Sequence, residues 1–243
     1  MVDSMEALQY STHDVPVAGI QPVTTIDFPG RMAAVFFTQG CPWNCRYCHN
    51  PSCRLPVSSN TFSRQHIESF LAERSDFLDG VVISGGEPTL HPALPYFLEW
   101  IREFGYMTAL HTNGYNPEML RYLLKHELLD YVAMDVKAAP ALYDRITRVQ
   151  NTCVNASWSI SAILTSGIDH EFRTTWHPLL MTEKELLDTI RAVYSAGGRR
   201  FYLQRFRAQG VADEELVQFG DVVNVPETVL KTARKLFSEF DVR

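Results

Sequence analysis

Short apolar runs alternate with amphipathic stretches along most of this chain, from about residue 33 onward. Apolar or β-branched runs bounded by glycine and polar residues are typical of buried strands, whereas apolar positions three or four apart indicate helices. Capping signals mark two helix starts, at Asn116-Pro117 and at Thr182 with Glu185. The predicted strands are Ala33–Thr38, Gly80–Ser84, Tyr106–His111, Tyr131–Val136, Glu171–Trp176 and Arg200–Arg205, and the predicted helices cover about 63–74, 92–104, 117–127, 154–166, 182–196 and 226–239.

Repeated strand–helix alternation favours an α/β fold with a parallel sheet and right-handed crossovers. Six such units are fewer than the eight of a closed barrel, so the sequence predicts an open, partial parallel β/α barrel. Residues 1–15 lack periodicity, and we expect a loose N-terminal extension over residues 1–18. No linker rich in proline, glycine or serine divides the remainder, so we expect a single domain over residues 19–243 with a C-terminal helix.

Composition narrows the range of partners. The 243 residues are 46% hydrophobic, carry 22 Lys+Arg against 28 Asp+Glu, and have a formal net charge of −6. Without a basic run, sequence-independent binding of nucleic acid is not expected. No apolar run approaches the ~20 residues that cross a bilayer, and no signal-peptide pattern opens the chain. We therefore expect a cytoplasmic protein with neither a nucleic-acid nor a membrane partner.

Four of the five cysteines crowd into one short segment after the first predicted strand: Cys41, Cys45, Cys48 and Cys53. The first three, spaced by three and then two residues, can converge on one iron–sulfur cluster from a single loop. Clusters are usually held by four cysteines, so three ligands leave one iron open, as in catalytic metal sites. Two alternatives use the same loop: a structural zinc site completed by His49 or Cys53, and an electron-transfer cluster with Cys53 as fourth ligand.

The C-x3-C-x2-C spacing, with Tyr47 before the last cysteine, resembles the signature of the radical S-adenosylmethionine (SAM) superfamily. The resemblance implies that Cys41, Cys45 and Cys48 are the catalytic, metal-binding residues and hold a [4Fe–4S] cluster. It also implies that the open iron takes the amino and carboxylate groups of SAM and that Tyr47 packs near the adenine. Reductive cleavage of SAM then leaves a 5′-deoxyadenosyl radical, while the protein supplies binding, orientation and exclusion of water.

Two further motifs follow the second and third predicted strands, at the end where parallel barrels carry their sites. Gly85-Gly86-Glu87 is similar to the family's GGEP motif, in which the methionine amino group of SAM is bound. Paired glycines permit close backbone approach, and the carboxylate suits an ammonium group. His111-Thr112 stands where glycyl-radical activating enzymes often have Asp-Thr, whose acidic residue helps bind a cation beside SAM. The imidazole is expected to hydrogen-bond SAM or a neighbouring carboxylate instead.

Charged residues mark the fourth and fifth predicted strands. Asp135 and Lys137 lie two apart and face the same side, either as a weak local ion pair or, by resemblance to the family's Asp-x-Lys element, as contacts of SAM. Arg173 lies within a predicted buried strand and needs a partner, either the SAM carboxylate or a core carboxylate. Cys153, at the start of a predicted helix, is expected to be a buried structural thiol.

The segment Thr25-Ile26-Asp27-Phe28-Pro29-Gly30 resembles the lead-in of glycyl-radical enzyme activating enzymes. From Gly19 to about Phe206 the chain is similar to activating proteins of anaerobic ribonucleoside-triphosphate reductase. This implies an electron from flavodoxin or ferredoxin and hydrogen abstraction from a glycine of a partner, expected to be anaerobic ribonucleotide reductase. The alternatives are an activating enzyme for a different glycyl-radical enzyme, and a radical SAM enzyme acting on a small molecule, such as 7-carboxy-7-deazaguanine synthase.

Overall fold

The computed structural model describes residues 15–55, 61–222 and 224–243. Its strands form one eight-stranded sheet in which spatial order follows chain order. The strands are β1 (Val17–Thr24), β2 (Ala33–Thr38), β3 (Gly80–Gly85), β4 (Met107–Thr112), β5 (Tyr131–Asp135), β6 (His170–Trp176), β7 (Arg200–Arg205) and β8 (Glu239–Val242). The helices are α1 (Arg64–Ala72), α2 (Leu94–Glu103), α3 (Pro117–Lys125), α4 (Tyr143–Thr147), α5 (Thr152–Ser166), α6 (Glu183–Ala196), α7 (Glu214–Phe219) and α8 (Glu227–Leu236).

Strands β2 to β8 run parallel, and β1 pairs antiparallel with β2. The sheet order is linear from β1 to β8, which confirms the predicted open, partial parallel barrel. Each of the six predicted strands agrees with β2 to β7 to within one residue at either end. Strands of a parallel sheet are buried on both faces, so each appears in the sequence as a nearly continuous apolar run. These runs made the bounds of the strands predictable.

The two edge strands were absent from the predicted pattern. β1 begins at Val17, so the predicted extension over residues 1–18 overlaps the sheet by two residues; residues 1–14 lie outside the described residues. Gly19 and Pro22 interrupt its apolar pattern, and both are tolerated because an edge strand has one unpaired side. At the other edge, α8 ends at Leu236 and the chain continues into the four-residue strand β8, so the domain does not end with the predicted helix.

Side chains alternate between the two faces of the sheet. Along β5, Tyr131 and Ala133 belong to a small apolar cluster on the concave face, while Val132 and Met134 belong to the large core shared with the helices. Asp135 continues the concave series at the end of the strand, in register with Arg173 of β6. The alternation therefore brings polar side chains to the carboxyl end of the concave face. No helix within the described ranges combines the length and apolarity needed to cross a membrane.

Candidate active site

The carboxyl ends of the central strands surround a cavity of about 210 Å³. The three predicted cluster ligands, Cys41, Cys45 and Cys48, all line it as free thiols. The structure therefore brings together residues from the cysteine loop and from the ends of strands β3 to β6. The other predicted site residues that line the same cavity are Tyr47, Gly85, Gly86, His111, Thr112, Asp135, Lys137 and Arg173.

The cysteine loop is closed by a backbone hydrogen bond of its own and is anchored by another to the turn that follows β3. The Gly40 amide donates to the Cys53 carbonyl at 2.6 Å, and the Glu87 amide donates to the Gly40 carbonyl at 2.8 Å. Gly86 packs so closely that a Cβ atom there would lie 2.0 Å from the Gly40 carbonyl oxygen. Any side chain at position 86 would therefore displace the loop, which is the physical reason for glycine in this motif.

The two remaining cysteines lie apart from the three in the loop. Cys53 is buried in the short 3₁₀ turn Pro51–Arg54, and its thiol does not contribute to the lining of the cavity. Cys153 lies at the start of α5, where it is half-buried rather than fully buried as expected, and lines a separate apolar cavity of about 190 Å³. The geometry thus separates Cys41, Cys45 and Cys48 from both of the other thiols.

Burial makes thiolate charge costly in the loop. It raises the pKa of Cys41 to about 12 and also raises the pKa of Cys45, while the nearby ammonium of Lys137 acts in the opposite direction on both. Metal coordination deprotonates a thiol outright, so a bound cationic centre would supply the missing compensation. Within the described ranges, no three His, Cys, Asp or Glu side chains lie close enough to share one metal ion, and the three sulfurs instead surround a space.

Two polar groups in the cavity wall point to an occupant. The Tyr47 hydroxyl and the Arg54 Nε are buried, and neither has a hydrogen-bond partner among the described residues. Buried donors without acceptors are costly, so a native structure usually satisfies them with a ligand or solvent. Three thiols, an open space and two unsatisfied donors together fit a cluster held by three thiolates, with an organic ligand beside it.

Glu87 occupies a different place from the one expected. Its carboxylate is fully buried behind the cavity wall and accepts hydrogen bonds from the Thr112 hydroxyl at 2.7 Å and the Asn113 amide at 2.8 Å. The amide and hydroxyl of Thr89 donate to the same carboxylate. Burial raises the pKa of Glu87, and these hydrogen bonds oppose that rise. The structure therefore uses Glu87 to join two turns and does not bring it to the cavity.

Asp135, Lys137 and Arg173 form a charged group that does face the cavity. Lys137 Nζ lies 3.0 Å from one Asp135 oxygen, and Arg173 Nε lies 3.1 Å from the other. Burial alone would raise the pKa of Asp135, but Lys137 and Arg173 together hold it well below its usual range. Arg173 Nη1 also lies 3.8 Å from Glu171, which Arg243 contacts at 2.9 Å, so three cations surround two carboxylates. The excess of one positive charge suits an incoming carboxylate.

His111 hydrogen-bonds a backbone group rather than a carboxylate. Its Nε2 lies 2.9 Å from the carbonyl oxygen of Asp27, so this nitrogen carries the proton and donates. Burial and the neighbouring Arg173 guanidinium lower the pKa of His111 to about 3. The imidazole is therefore neutral at physiological pH, and the bond ties the lead-in segment before β2 to the end of β4.

A second anchor of the cysteine loop comes from the far end of the chain. The Arg46 guanidinium donates to both oxygens of Asp213, at 2.6 and 2.8 Å, and to Glu215 at 2.5 Å. Asp213 also caps α7 by accepting from the Leu216 amide. Arg46 and Asp213 are 167 residues apart, so no local sequence pattern could have signalled this contact.

Comparisons with known proteins agree with this arrangement. A family model of the radical SAM superfamily matches residues 35–199. A Methanocaldococcus jannaschii protein, named as a candidate glycyl-radical enzyme activating enzyme, is 32% identical over 210 residues, covering 82% of this chain and 83% of that protein. The pyruvate formate-lyase-activating enzyme of Clostridium pasteurianum is 33% identical over 126 residues, covering 50% of this chain and 52% of that enzyme.

Solved structures are similar in fold. Streptococcus suis SuiB bound to S-adenosylmethionine matches with a TM-score of 0.63 and 14% identity, over 86% of this chain and 48% of that chain. TYW1 with a lysine–pyruvate adduct matches with a TM-score of 0.57 and 17% identity, over 84% of this chain and 72% of that chain. At these identities the similarity concerns the fold alone.

Proposed function

Because the chain belongs to the radical SAM superfamily, whose enzymes use a [4Fe–4S] cluster and SAM, we propose that Cys41, Cys45 and Cys48 are the cluster ligands. The adjoining cavity binds SAM. The observation that carries this proposal is that the three thiols and the charged group at the ends of β5 and β6 line one cavity. Cys53 remains a structural thiol, because its side chain lies outside that lining.

The protein is a glycyl-radical enzyme activating enzyme, a family supported by similarity along most of the chain. The partner we propose is anaerobic ribonucleotide reductase, and the proposed electron donor is reduced flavodoxin or ferredoxin. Support for this particular partner comes from the run of motifs between Gly19 and Phe206. When bound, the cluster supplies the electron for reductive cleavage of SAM; the overall products are methionine, 5′-deoxyadenosine and a glycyl radical on the partner.

The charged group of this chain orients SAM. Lys137 and Arg173 present positive charge for the methionyl carboxylate, and Asp135 holds both cations in place while offering its oxygens to the amino group. His111, being neutral, adds no charge to this region. Tyr47 closes the wall beside Cys45 and Cys48, and its buried ring excludes water from the side of the cysteine loop.

The ligand assignment is tested by comparing Cys48→Ser with Cys53→Ser after anaerobic reconstitution. We expect Cys48→Ser to lose the [4Fe–4S] absorption and all dithionite-dependent formation of 5′-deoxyadenosine from SAM. Cys53→Ser should keep the wild-type iron content and a rate within about twofold of the wild type, because its thiol lies outside the cavity lining. Loss of the cluster from Cys53→Ser, with retention in Cys48→Ser, would contradict the assignment.

The choice of partner is tested with peptides that span the radical-bearing glycine. Peptides from anaerobic ribonucleotide reductase and from pyruvate formate-lyase are compared at equal concentration, with matched glycine-to-alanine peptides as controls. The proposal predicts that the reductase peptide raises 5′-deoxyadenosine formation more than the lyase peptide and more than its own alanine control. Stronger stimulation by the lyase peptide would assign a different glycyl-radical enzyme, and no response to either would favour a small-molecule substrate.

A further inference from the structure

Two residues outside the three-cysteine motif, Asn113 and Arg54, carry N–H donors and line the cavity that the three cysteines also line. Asn113, in the turn after β4, directs its side-chain amide nitrogen at Cys41 Sγ, at a distance of 3.7 Å. The orientation of this amide is set by its other end, since Asn113 Oδ1 accepts from the Tyr115 amide at 2.9 Å. The nitrogen, and not the oxygen, therefore faces the sulfur.

Arg54 is the last residue of the 3₁₀ turn Pro51–Arg54, which follows the three cysteines in the chain. Its Nη1 donates to the Asn44 side chain at 2.5 Å and lies 3.5 Å from the Cys45 carbonyl oxygen. Its Nε is buried without a partner within the described ranges, and the side chain lines the same cavity as the three cysteines. A buried charged donor needs an acceptor, and thiolate or inorganic sulfide would provide one.

Arg54 also differs from the other cations near the loop in how its charge is paired. Lys137 is paired with Asp135, and Arg46 is paired with Asp213. Arg54, by contrast, forms no ion pair with the described residues, and its hydrogen bonds go to neutral oxygens. Its positive charge is therefore available to balance negative charge that develops in the cavity.

We propose that Arg54 and Asn113 are positioning residues that direct N–H groups at the cysteine sulfurs and thereby favour the reduced state of the bound cluster. Reduction adds negative charge to a site where burial already makes thiolate charge costly. Hydrogen bonds to the sulfurs and nearby positive charge are two of the means by which proteins raise the potential of such clusters. The inference rests on the proposed assignment of Cys41, Cys45 and Cys48 as ligands.

The test is a redox titration of the reconstituted, cluster-loaded protein, followed by the electron paramagnetic resonance signal of the reduced cluster. For Arg54→Gln we expect the reduction equilibrium to fall about tenfold, which is ~59 mV for a one-electron couple. Arg54→Lys keeps the charge and should recover part of that loss. Arg191→Gln, which changes an exposed arginine on α6, is the matched control and should titrate like the wild type.

Asn113→Asp provides a second, independent test, which does not require an Arg54 variant to fold. It keeps the oxygen that accepts from Tyr115 but replaces the N–H facing Cys41 with a carboxylate oxygen, so reduction should again become less favourable. If Arg54→Gln and Asn113→Asp hold the cluster and titrate at the wild-type potential, the inference is wrong while the ligand assignment stands. If the wild type itself binds no cluster, the proposed function fails first.

Discussion

Two carboxylates at the same end of the sheet, Glu87 and Asp135, have opposite surroundings. Glu87 follows β3 and is fully enclosed, with hydrogen bonds from the turns after β3 and β4. Asp135 ends β5, has a side chain 31% exposed, and faces the cavity between Lys137 and Arg173. One carboxylate holds the walls of the site together, whereas the other is available to a ligand.

The difference shows that carboxylates in neighbouring sequence motifs can have different roles, one structural and one in ligand binding. Donors around Glu87 are neutral amides and hydroxyls that satisfy its oxygens completely. Partners of Asp135 are cations with further donors to share, so an incoming zwitterion can join the network. Within this site, therefore, burial combined with neutral partners indicates scaffold, and partial exposure combined with charged partners indicates a binding surface.

The largest expected effect concerns the enclosed carboxylate. Glu87→Ala should lower the free energy of unfolding by on the order of 4 kcal/mol, because it leaves the buried amides of Thr89 and Asn113 without acceptors. Urea unfolding of the anaerobic protein measures this, with Glu68→Ala on the exposed face of α1 as the control. A variant as stable as the control, with weakened SAM binding instead, would show that Glu87 is a ligand contact and would break the comparison.

A smaller effect on stability, but a larger one on binding, is expected at the other carboxylate. Asp135→Asn should weaken SAM binding about tenfold, because Lys137 and Arg173 lose the charge that orients them. The loss of stability should be about 1 kcal/mol, since the Asp135 side chain is 31% exposed and asparagine keeps an oxygen that can accept from one of the two cations. Isothermal titration of cluster-loaded protein with SAM gives the affinity; unchanged affinity together with a loss as large as that of Glu87→Ala would overturn the distinction.

The third effect depends on pH and concerns His111, which lies on β4 between the two regions. Its pKa is lowered to about 3 in the folded protein, so below about pH 6.5 the unfolded chain takes up a proton that the folded protein does not. The stabilisation from the neutral imidazole is fully present above pH 6.5 and is lost as the pH falls toward 3. Between pH 7 and pH 5 this amounts to about 2 kcal/mol.

The measurement that isolates His111 is the difference in pH dependence between wild type and His111→Gln, since Glu87 and other carboxyls contribute equally to both. The wild type should lose more stability than the variant as the pH falls from 7 to 5. Parallel stability curves would mean that His111 is solvated and titrates normally, and the tie between His111 and the Asp27 carbonyl would then be wrong.

How far the sequence predicts this molecule depends on how local the determining interactions are. Strands β2 to β7 were predictable because each is a short apolar run between polar turns. β1 and β8 were not, since Pro22 and Gly19 break the pattern of one and the other has four residues. The cysteine spacing identified the loop, but its anchor from Arg46 to Asp213 depends on tertiary structure alone.

The role of Glu87 shows the same limit at a single residue. The sequence indicates a carboxylate beside paired glycines, and an ammonium partner is a reasonable expectation from that pattern. The actual partners include the Thr112 hydroxyl and the Asn113 amide, which approach only because β3 and β4 are neighbours in the sheet. The backbone amide of Asn113 carries no side-chain signature, and the Thr112 hydroxyl can be paired with Glu87 only once β3 and β4 are known to be neighbours.

The central claim is most directly tested by electron paramagnetic resonance of the complete reaction. Cluster-loaded protein, SAM and a reductant are mixed anaerobically with the anaerobic ribonucleotide reductase of the same organism, or with the reductase in which the radical-bearing glycine is alanine. The account predicts a glycyl doublet with the intact reductase, together with 5′-deoxyadenosine, and no doublet with the alanine variant. Formation of 5′-deoxyadenosine without a doublet on the intact reductase would contradict the proposed partner, and the absence of both from protein that holds its cluster would contradict the assigned chemistry.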